Sequence, residues 1–415
     1  MYTREGLSST WQRTLYIVWI TQFIALAGGN LVFPFLPLYI RDLGVSEPGK
    51  VAFYAGLTGT ATGTTLFIFS PIWGALADRF GRKPLLLRAY FGATISMGLQ
   101  GLAQNVWQLL ALRAIQGAFV GTVPAAAALV ASSTPPERVA YAMGLLQVAQ
   151  FTAATAGPLI GGVLADTIGF RETFGLTAAL FGVAGLLLVF GVKEDFTPPP
   201  VRKGPLESFL ASIRDVAASR AALTMIGLIF LVNGSLAFTR PVIPLFVDIV
   251  DPATKGARES GFVFASLAVT SAVAAFVVGN FAQRVGYKRT LMIAIAGAGL
   301  AYLPVATAGS IATLVLVMAV VGCFSGGMMP AANALLSLSS PPNKQGSAFG
   351  LAGSANALAF AVAPLLGGVT ASLLGIGAVF LVIGGATLVT ALLATAFVKA
   401  PSVAAGRAVE QEATA

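Results

Sequence analysis

The chain has 415 residues, of which 56% are hydrophobic and only 10% are charged, and its formal net charge is +9. A soluble domain carries roughly 25% charged residues, so this composition excludes an ordinary soluble protein. The cations stand in short turns between long apolar runs, which indicates membrane topology and argues against a basic surface for nucleic acid. The chain has no histidine, so any proton-linked step must use another group.

Long uncharged runs predict transmembrane helices in the first 192 residues. Residues 51–77 and 89–112 contain no Asp, Glu, Lys or Arg, and each run exceeds the roughly 20 residues that one crossing needs. We predict six helices here. The first, fourth and sixth span about 15–39, 107–131 and 173–192. The second runs from 51 to Trp73, the third ends near Gln104, and the fifth ends at Ala165.

Six further hydrophobic segments follow after residue 220, near 222–247, 260–281, 290–308, 310–337, 347–374 and 376–397. The uncharged runs 290–343 and 346–398 are each about twice as long as one crossing, so each predicts a hairpin, bent near Gly309 and Gly375.

Four regions are therefore predicted along the chain. Residues 1–192 and 221–400 form two six-helix bundles. Residues 193–220, which have charges of both signs and a run of three prolines, form a cytoplasmic linker that is partly a surface helix. Residues 401–415 form a disordered cytoplasmic tail.

The charges predict which side of the membrane each loop occupies. With both termini inside, 18 of the 25 Lys and Arg residues fall in inner segments and 5 in outer loops, and Arg113 and Arg240 fall within helices. An excess of cations marks the cytoplasmic side. We predict an all-α integral protein of the plasma or inner membrane, with twelve transmembrane helices and both termini in the cytoplasm.

The two halves are related by an internal repeat. Residues 123–129 recur as 329–335, and 158–162 recur as 364–368, at a constant offset of about 206 residues. A duplicated polytopic chain predicts two similar bundles with the transport pathway between them.

The turn after the second predicted helix reads Gly74-x-Leu76-x-Asp78-Arg79-x-Gly81-Arg82-Lys83. With the duplicated architecture, this turn makes the whole chain resemble the major facilitator superfamily. The fourth helix, with Leu109-x-x-x-Arg113-x-x-Gln116-Gly117, is similar to the superfamily's second motif. The fifth is similar to the motif of its antiporters. Pro34-x-x-Pro37-x-Tyr39 adds a resemblance to bacterial drug:proton antiporters, and within these to multidrug exporters associated with fluoroquinolone and fosfomycin efflux.

The resemblance implies that the turn acts in gating, and Asp78 is our candidate for a latch that holds the inner ends closed. An aspartate at the amino terminus of another helix meets the positive end of that helix's dipole. The family arrangement implies a partner near residues 347–350. The second copy has Gln283 in place of Asp78, which predicts a weaker second latch. The residues assigned to gating are Gly74, Asp78, Arg79, Gly81, Arg82, Lys83 and Arg284.

Two arginines lie inside predicted helices, where a buried cation is expensive and is kept near a cavity or a partner. For Arg113 the resemblance implies a cavity-facing role in proton coupling or charge sensing, and the alternative is an arginine that snorkels to the nearer surface. For Arg240 there are two interpretations, a role in the outer gate or in substrate binding, and a structural cap of the helix.

No Asp or Glu falls near the middle of any predicted helix. This disfavours obligate recognition of cations and favours neutral, zwitterionic or anionic amphiphiles. It also leaves the proton carrier open among Asp42 and Asp166 at the outer ends and Asp78 at the inner end.

The fifth helix carries Gly144, Gly157, Pro158, Gly161 and Gly162. Proline bends a helix and glycine permits a close crossing, so this helix is expected to shape the outer half of the pathway.

The pathway is expected to be lined by the first, fourth, seventh and tenth helices. Its candidate polar and aromatic groups are Asn30, Phe33, Gln116, Gln147, Gln150, Asn233, Phe238, Asn333 and Asn356.

The expected function is a proton-coupled antiporter that exports small amphiphilic compounds by alternating access. A sugar or metabolite carrier on the same fold is the alternative. The chain has no histidine, no usable cysteine and no paired carboxylates, which argues against a membrane-embedded enzyme. It also has no phosphate-binding loop, which argues against an ATP-driven pump. We expect no cofactor or metal, energy from the proton gradient, a functional monomer, and the bilayer, the substrate and the proton as the partners.

Overall fold

The structure is a computed structural model that describes residues 4–194, 196, 220–340 and 345–398. Within these ranges the side chains of residues 4–10, 75, 78, 220–222, 280, 346 and 347 are not described. The predicted linker, apart from its first residues, and the predicted tail lie outside the described part.

Eight α-helices form the first half. They are α1 (Arg4–Leu31), α2 (Leu36–Asp42), α3 (Pro48–Phe80), α4 (Arg82–Gly101), α5 (Val106–Phe119), α6 (Thr122–Ser133), α7 (Val139–Ile168) and α8 (Phe170–Gly191).

Seven α-helices form the described part of the second half. They are α9 (Arg220–Thr239), α10 (Ile243–Val250), α11 (Ala257–Val285), α12 (Tyr287–Tyr302), α13 (Ile311–Ser339), α14 (Gln345–Leu374) and α15 (Ala378–Phe397). The described ranges contain no strand.

The helices confirm a multi-pass membrane protein. Nine helical spans in the described ranges are long and apolar enough to cross a bilayer, and α9 with α10 makes a tenth, bent by 41°. Helices α3 and α4 have 33 and 20 residues, which also suffices to cross. They are less apolar, so the total of twelve stays a prediction. Large apolar side chains cover the surface, among them Phe190 (78% exposed) and Phe276 (85% exposed), as expected for contact with lipid.

Prolines interrupt two of the predicted helices. The first, predicted as one helix over 15–39, is broken between α1 and α2 at Pro34, and the seventh is broken between α9 and α10 at Pro241. Proline lacks an N–H and clashes with the preceding turn, so both helices end before it and resume two residues after it. The prediction of continuous helices was wrong at both positions.

The fourth predicted helix is also broken, between α5 and α6, where Gly121 adopts a φ of +125°. The break frees backbone carbonyls. The Trp73 indole N–H donates to the Ala118 oxygen at 2.7 Å, and the Arg88 guanidinium donates to the Phe119 oxygen at 3.1 Å. Partners from α3 and α4 therefore stabilise a break that the sequence pattern did not predict.

Both predicted hairpins are confirmed. Gly309 lies between α12 and α13, and Gly375, with a φ of +93°, lies between α14 and α15. The Ser310 side chain caps α13 by accepting the Thr313 N–H at 3.2 Å.

We call the end that carries the Gly74–Lys83 turn the inner end and the opposite end the outer end. At the outer end, α3 of the first half packs against α14 of the second. A Cβ at Gly56 would collide with the Pro364 carbonyl, and one at Gly63 would collide with the Phe360 backbone. Only glycine permits such contact between backbones.

The second outer contact joins α7 to α11. A Cβ at Gly162 would collide with the Ala257 carbonyl, and one at Gly261 would lie 2.7 Å from the Pro158 oxygen. These two contacts, α3 with α14 and α7 with α11, are referred to below as the outer interface.

The same four helices are apart at their inner ends. A Cβ at Gly74 of α3, Gly144 of α7, Gly279 of α11 or Gly350 of α14 would meet nothing within 4 Å. Among the described residues, the halves are therefore closed on each other at the outer end and open at the inner end.

The outer interface predicts a specific disulfide. A Cβ at Gly49 would lie 3.6 Å from the Ser372 Cβ, within the 3.5–4.5 Å that a disulfide requires. In a Cys323→Ser background, the double variant Gly49→Cys/Ser372→Cys should cross-link on oxidation and stop transport until it is reduced. Gel mobility after proteolysis between the halves measures the cross-link.

The matched control is Gly74→Cys/Gly350→Cys at the inner ends of the same two helices. This pair should not cross-link in the state described here, because neither glycine has a neighbour within 4 Å. Rapid cross-linking of the inner pair with none of the outer pair would contradict the closure of the outer end.

Candidate functional site

The inner turn is bound to the end of α8 within the first half. The Glu194 carboxylate accepts the backbone N–H of Arg82 at 2.8 Å and of Lys83 at 2.7 Å. In return, the Lys83 ammonium donates to the carbonyls of Val189 at 2.9 Å and Val192 at 2.5 Å. A carboxylate thus caps the start of α4 and a cation caps the end of α8, each at the favourable end of a helix dipole.

The second half repeats part of this arrangement. The Lys288 ammonium donates to the Thr395 carbonyl at 3.2 Å, near the end of α15. Arg79 lies over the Phe80 ring at 5.3 Å, and Arg284 and Gln283 are exposed. In this state Lys83 is a capping residue, and its predicted part in gating stays a prediction.

The predicted latch is only partly described. Gly74 is exposed and has no close neighbour among the described residues in this state. The side chains of Asp78 and of residue 347, the first of its predicted partner, lie outside the described residues. The latch stays a prediction.

Arg113 is buried in the first bundle and is only 6% exposed. It donates to the Gln116 side-chain oxygen at 3.3 Å, which also accepts from Gln100 at 3.1 Å. Tyr39 donates to the Gln100 carbonyl at 2.8 Å. The Arg113 Nε and Nη2 atoms have no hydrogen-bond partner among the described residues. Its side chain therefore lies inside the bundle and does not snorkel to the surface.

Arg240 lies in the break between α9 and α10 and contacts both halves. Its guanidinium lies 4.8 Å from the centroid of the Phe33 ring, in the α1–α2 break, and 5.1 Å from that of Phe360 on α14. Both distances are typical of cation–π contacts.

The fifth-helix motif divides between two neighbours. Gly157 faces Asn30, and Gly161 faces the Leu31 backbone, so these glycines pack α7 on α1. Gly162 and Pro158 belong to the outer interface with α11. Gly144, at the inner end, has no close neighbour.

The remaining cavity candidates are scattered. Gln147 is exposed, Gln150 and Asn333 are half-buried, and Phe238 is buried, with its carbonyl against Gly367. Phe238 therefore packs between helices and does not form a cavity wall.

Two other candidate asparagines are half-buried. Asn233 donates to the Ile229 carbonyl at 2.9 Å and contacts the Met329 sulfur at 3.2 Å. Asn356 has a buried side-chain oxygen without a partner among the described residues.

Polar contacts join the halves at the outer end. The Asp166 carboxylate accepts the N–H of Arg258 at 3.1 Å, in the first turn of α11, and Lys255 donates to the Asp166 carbonyl at 3.0 Å. Arg41 forms an ion pair with Asp248. Because Asp166 and Arg41 belong to the first half and their partners to the second, both contacts support the closed outer interface.

Asp42 and Asp166 differ sharply in surroundings. Asp42 is exposed at the end of α2, whereas Asp166 is half-buried at the amino terminus of a helix from the other half. At the repeat offset of 206, Ser372 stands where Asp166 stands. The carboxylate contact with a helix terminus is therefore present on only one side of the outer interface.

Sequence reasoning missed Glu194, Asp248 and Phe360 as parts of these contacts. Glu194 was assigned to the linker, Asp248 meets a partner 207 residues away, and Phe360 contacts Arg240 on another helix. The cation at Lys83 and the proline at Pro241 were visible in the sequence, but the partners of Lys83 and of Arg240 were not.

Known proteins are similar to this chain over most of its length. The profile of the Major Facilitator Superfamily matches residues 18–251 and 254–414. The multi-drug resistance efflux pump PmrA of Streptococcus pneumoniae is 34% identical over 332 residues, 80% of this chain and 82% of that protein. The multidrug resistance protein MdtG of Salmonella typhimurium is 32% identical over 362 residues, 86% and 88% of the two chains.

A solved structure shares the fold. The nucleoside transporter NupG superposes with a TM-score of 0.78 at 14% identity and covers 93% of this chain and 99% of its own. At this identity the likeness is one of fold alone.

The Asp166 contact gives a testable prediction. Removing the charge in Asp166→Asn should weaken the outer interface by roughly 0.3–2 kcal/mol, the range for a carboxylate at a helix amino terminus. Ala52→Cys, buried in the outer interface, should then react about 2- to 30-fold faster with a maleimide added from the outer side.

The control is Asp42→Asn, which removes an equal charge from an exposed position at the same end. It should leave the rate of Ala52→Cys labelling unchanged. Equal acceleration by both variants would mean that general surface charge, and not the contact with α11, stabilises the outer interface.

Proposed function

This chain belongs to the Major Facilitator Superfamily, and we propose that it is a multidrug exporter that works by alternating access and takes its energy from protons moving inward. Proteins of this superfamily are transporters, so the chain carries solutes rather than catalysing a reaction. The observation that carries the proposal is the pair of halves closed at the outer end and open at the inner end. A carrier in this state can accept a solute from the inner side.

Export is supported by the fifth helix and by the relatives. Gly162 and Pro158 of α7 lie in the outer interface, where a tight fit prevents leakage back through the carrier. PmrA and MdtG carry names that describe drug efflux and drug resistance. A role in antibiotic resistance follows for this chain.

The protein is multi-pass in the membrane, and its finer placement is part of the proposal. It lies in the plasma or inner membrane with both termini in the cytoplasm, as the 18 inner against 5 outer cations indicate. The inner end is then the cytoplasmic side, from which a drug enters.

One chain is enough for this function. The interface that opens and closes lies between the two halves of one chain, so a monomer contains the whole pathway. No cofactor is needed, because proton movement supplies the free energy. The partners are the bilayer, the amphiphilic substrate and the proton.

The proposed latch acts in the opposite state. When the inner ends close, Asp78 of α3 binds the amino-terminal region of α14, and the contact ends when the inner ends part, as they are here. Gln283 offers no charge for the equivalent contact, so the two sides of the inner gate differ in strength.

Everted membrane vesicles test the function. With an acidic lumen, vesicles that contain this protein should accumulate dyes and antibiotics, and addition of a substrate should partly dissipate the pH gradient. Fluorescence quenching follows both events. Transport of a sugar, with no response to any drug, would favour the metabolite carrier and contradict drug export.

Asp78→Asn is the informative variant in the same vesicles. At equal expression it should lower the initial rate several-fold, since a latch without its charge holds the inner ends less often. Glu47→Gln, which neutralises an exposed residue paired with Lys50, should transport like the parent protein. Parent rates with Asp78→Asn would contradict the latch.

A further inference from the structure

Arg240 occupies the place where the contact between the halves ends. Phe360 is the innermost of the α14 residues that meet glycines of α3, through Gly63. Seven residues further toward the inner end, a Cβ at Gly353 would meet nothing within 4 Å. The Arg240 guanidinium lies against the Phe360 ring. It therefore stands at the outer limit of the space that opens inward.

Arg240, Phe33 and Phe360 share this space. All three side chains are half-buried, whereas their chain neighbours Val32 and Ala359 are fully buried. The three residues come from different parts of the chain and from both halves, so this cluster lies where the two halves meet.

Arg240 does not act as a cap for the break in which it lies. No described residue accepts a hydrogen bond from its guanidinium or pairs with it as a carboxylate. The described cations Arg88 and Lys83, by contrast, donate to backbone carbonyls at helix ends. The contacts of Arg240 are two ring faces, and these leave the N–H edge of the guanidinium free for a ligand.

No carboxylate in the described part of the chain forms an ion pair with Arg240. No Asp or Glu falls near the middle of any predicted helix, and the ion pair of Arg41 with Asp248 lies at the outer end. An unpaired cation at membrane depth is costly. An anion that arrives with the substrate would remove that cost each time it binds.

Of the two intramembrane arginines, only Arg240 is placed to meet a substrate. Arg113 is 6% exposed and donates to Gln116 inside the first bundle. Arg240 is half-buried, and two aromatic rings, one from each half, contact its guanidinium. A planar guanidinium binds a carboxylate, sulfonate or phosphonate through paired hydrogen bonds, and the rings accommodate an apolar body.

We propose that Arg240, held between Phe33 and Phe360, binds the acidic group of amphiphilic organic anions and makes them the preferred cargo. The inference rests on the proposed export function and adds the chemical class of the substrate. An anionic lipid headgroup has the same chemistry, and the experiment separates it from a transported anion.

Three pyrene probes with one apolar body test the proposal. They are pyrenebutyrate (anion), its methyl ester (neutral) and a pyrenebutyl trimethylammonium (cation). The full-length protein is reconstituted in phosphatidylcholine vesicles with an imposed pH gradient, and the rate of each probe is measured. The parent protein should carry the anion fastest.

Arg240→Gln should lower the rate of the anion about tenfold or more, as expected from loss of a charge-assisted hydrogen bond. The rates of the ester and of the cation should stay within about twofold. Arg240→Lys should keep the preference for the anion in part, because it retains the charge without the planar fork. Arg138→Gln, at an exposed position on an inner turn, is the matched control and should behave like the parent.

The outcomes separate the two proposals. If Arg240→Gln lowered the transport rates of all three probes equally, the anion site would be overturned while export stands. A parent protein that carried the cation faster than the anion would have the same consequence. Strong competitive inhibition by phosphatidylglycerol, with no transport of pyrenebutyrate, would assign the site to a lipid and overturn the inference as well. Absence of transport for every probe and every drug would instead reject the proposed function.

Discussion

The structure depends on contact between backbones at the outer interface. Gly56 and Gly63 bring α3 onto α14, and Gly162 brings α7 onto α11, with no side chain between the helices. Packing of this kind is either complete or lost, because a gap of less than an ångström already forfeits much of the dispersion energy. We expect two bundles joined this way to move between discrete arrangements instead of deforming gradually. The inner ends of the same helices also carry glycines, and these have no close neighbours here. We expect them to form the contact when the inner ends close.

Charges are distributed to suit such a motion. At the outer end, Asp166 and the Arg41–Asp248 pair join the halves, and these contacts are near the aqueous surface, where breaking them is cheap. At the inner end, Glu194 and Lys83 bind the turn to its own half, so it moves with that half. Between the ends stands Arg240, without a described counterion. The charges that bind the ends thus lie apart from Arg240, which leaves the proposed pathway with a positive charge.

Much of this architecture could be predicted from the sequence, and the rest could not for identifiable reasons. Long uncharged runs predicted the helices, and the double-length runs predicted hairpins at Gly309 and Gly375, because bilayer thickness fixes the length of a crossing. The break at Gly121 was missed, since glycine is common in membrane helices and its partner Arg88 lies on another helix. The contact of Arg240 with Phe33 joins residues 207 positions apart, which no local pattern contains. The proposed latch at Asp78 concerns a state in which the inner ends are closed, and this structure describes the other state.

Alternating access through two rigid halves is the central claim, and paired distances test it most directly. Spin labels on exposed outer residues, Ser46→Cys and Ala253→Cys, and on exposed inner residues, Arg138→Cys and Gln283→Cys, report the two ends in a Cys323→Ser background. Double electron–electron resonance would be recorded in nanodiscs at pH 8 and pH 5, with and without a transported drug. The account predicts that whenever the outer distance lengthens, the inner distance shortens. Both distances lengthening together, or one changing alone, would contradict it.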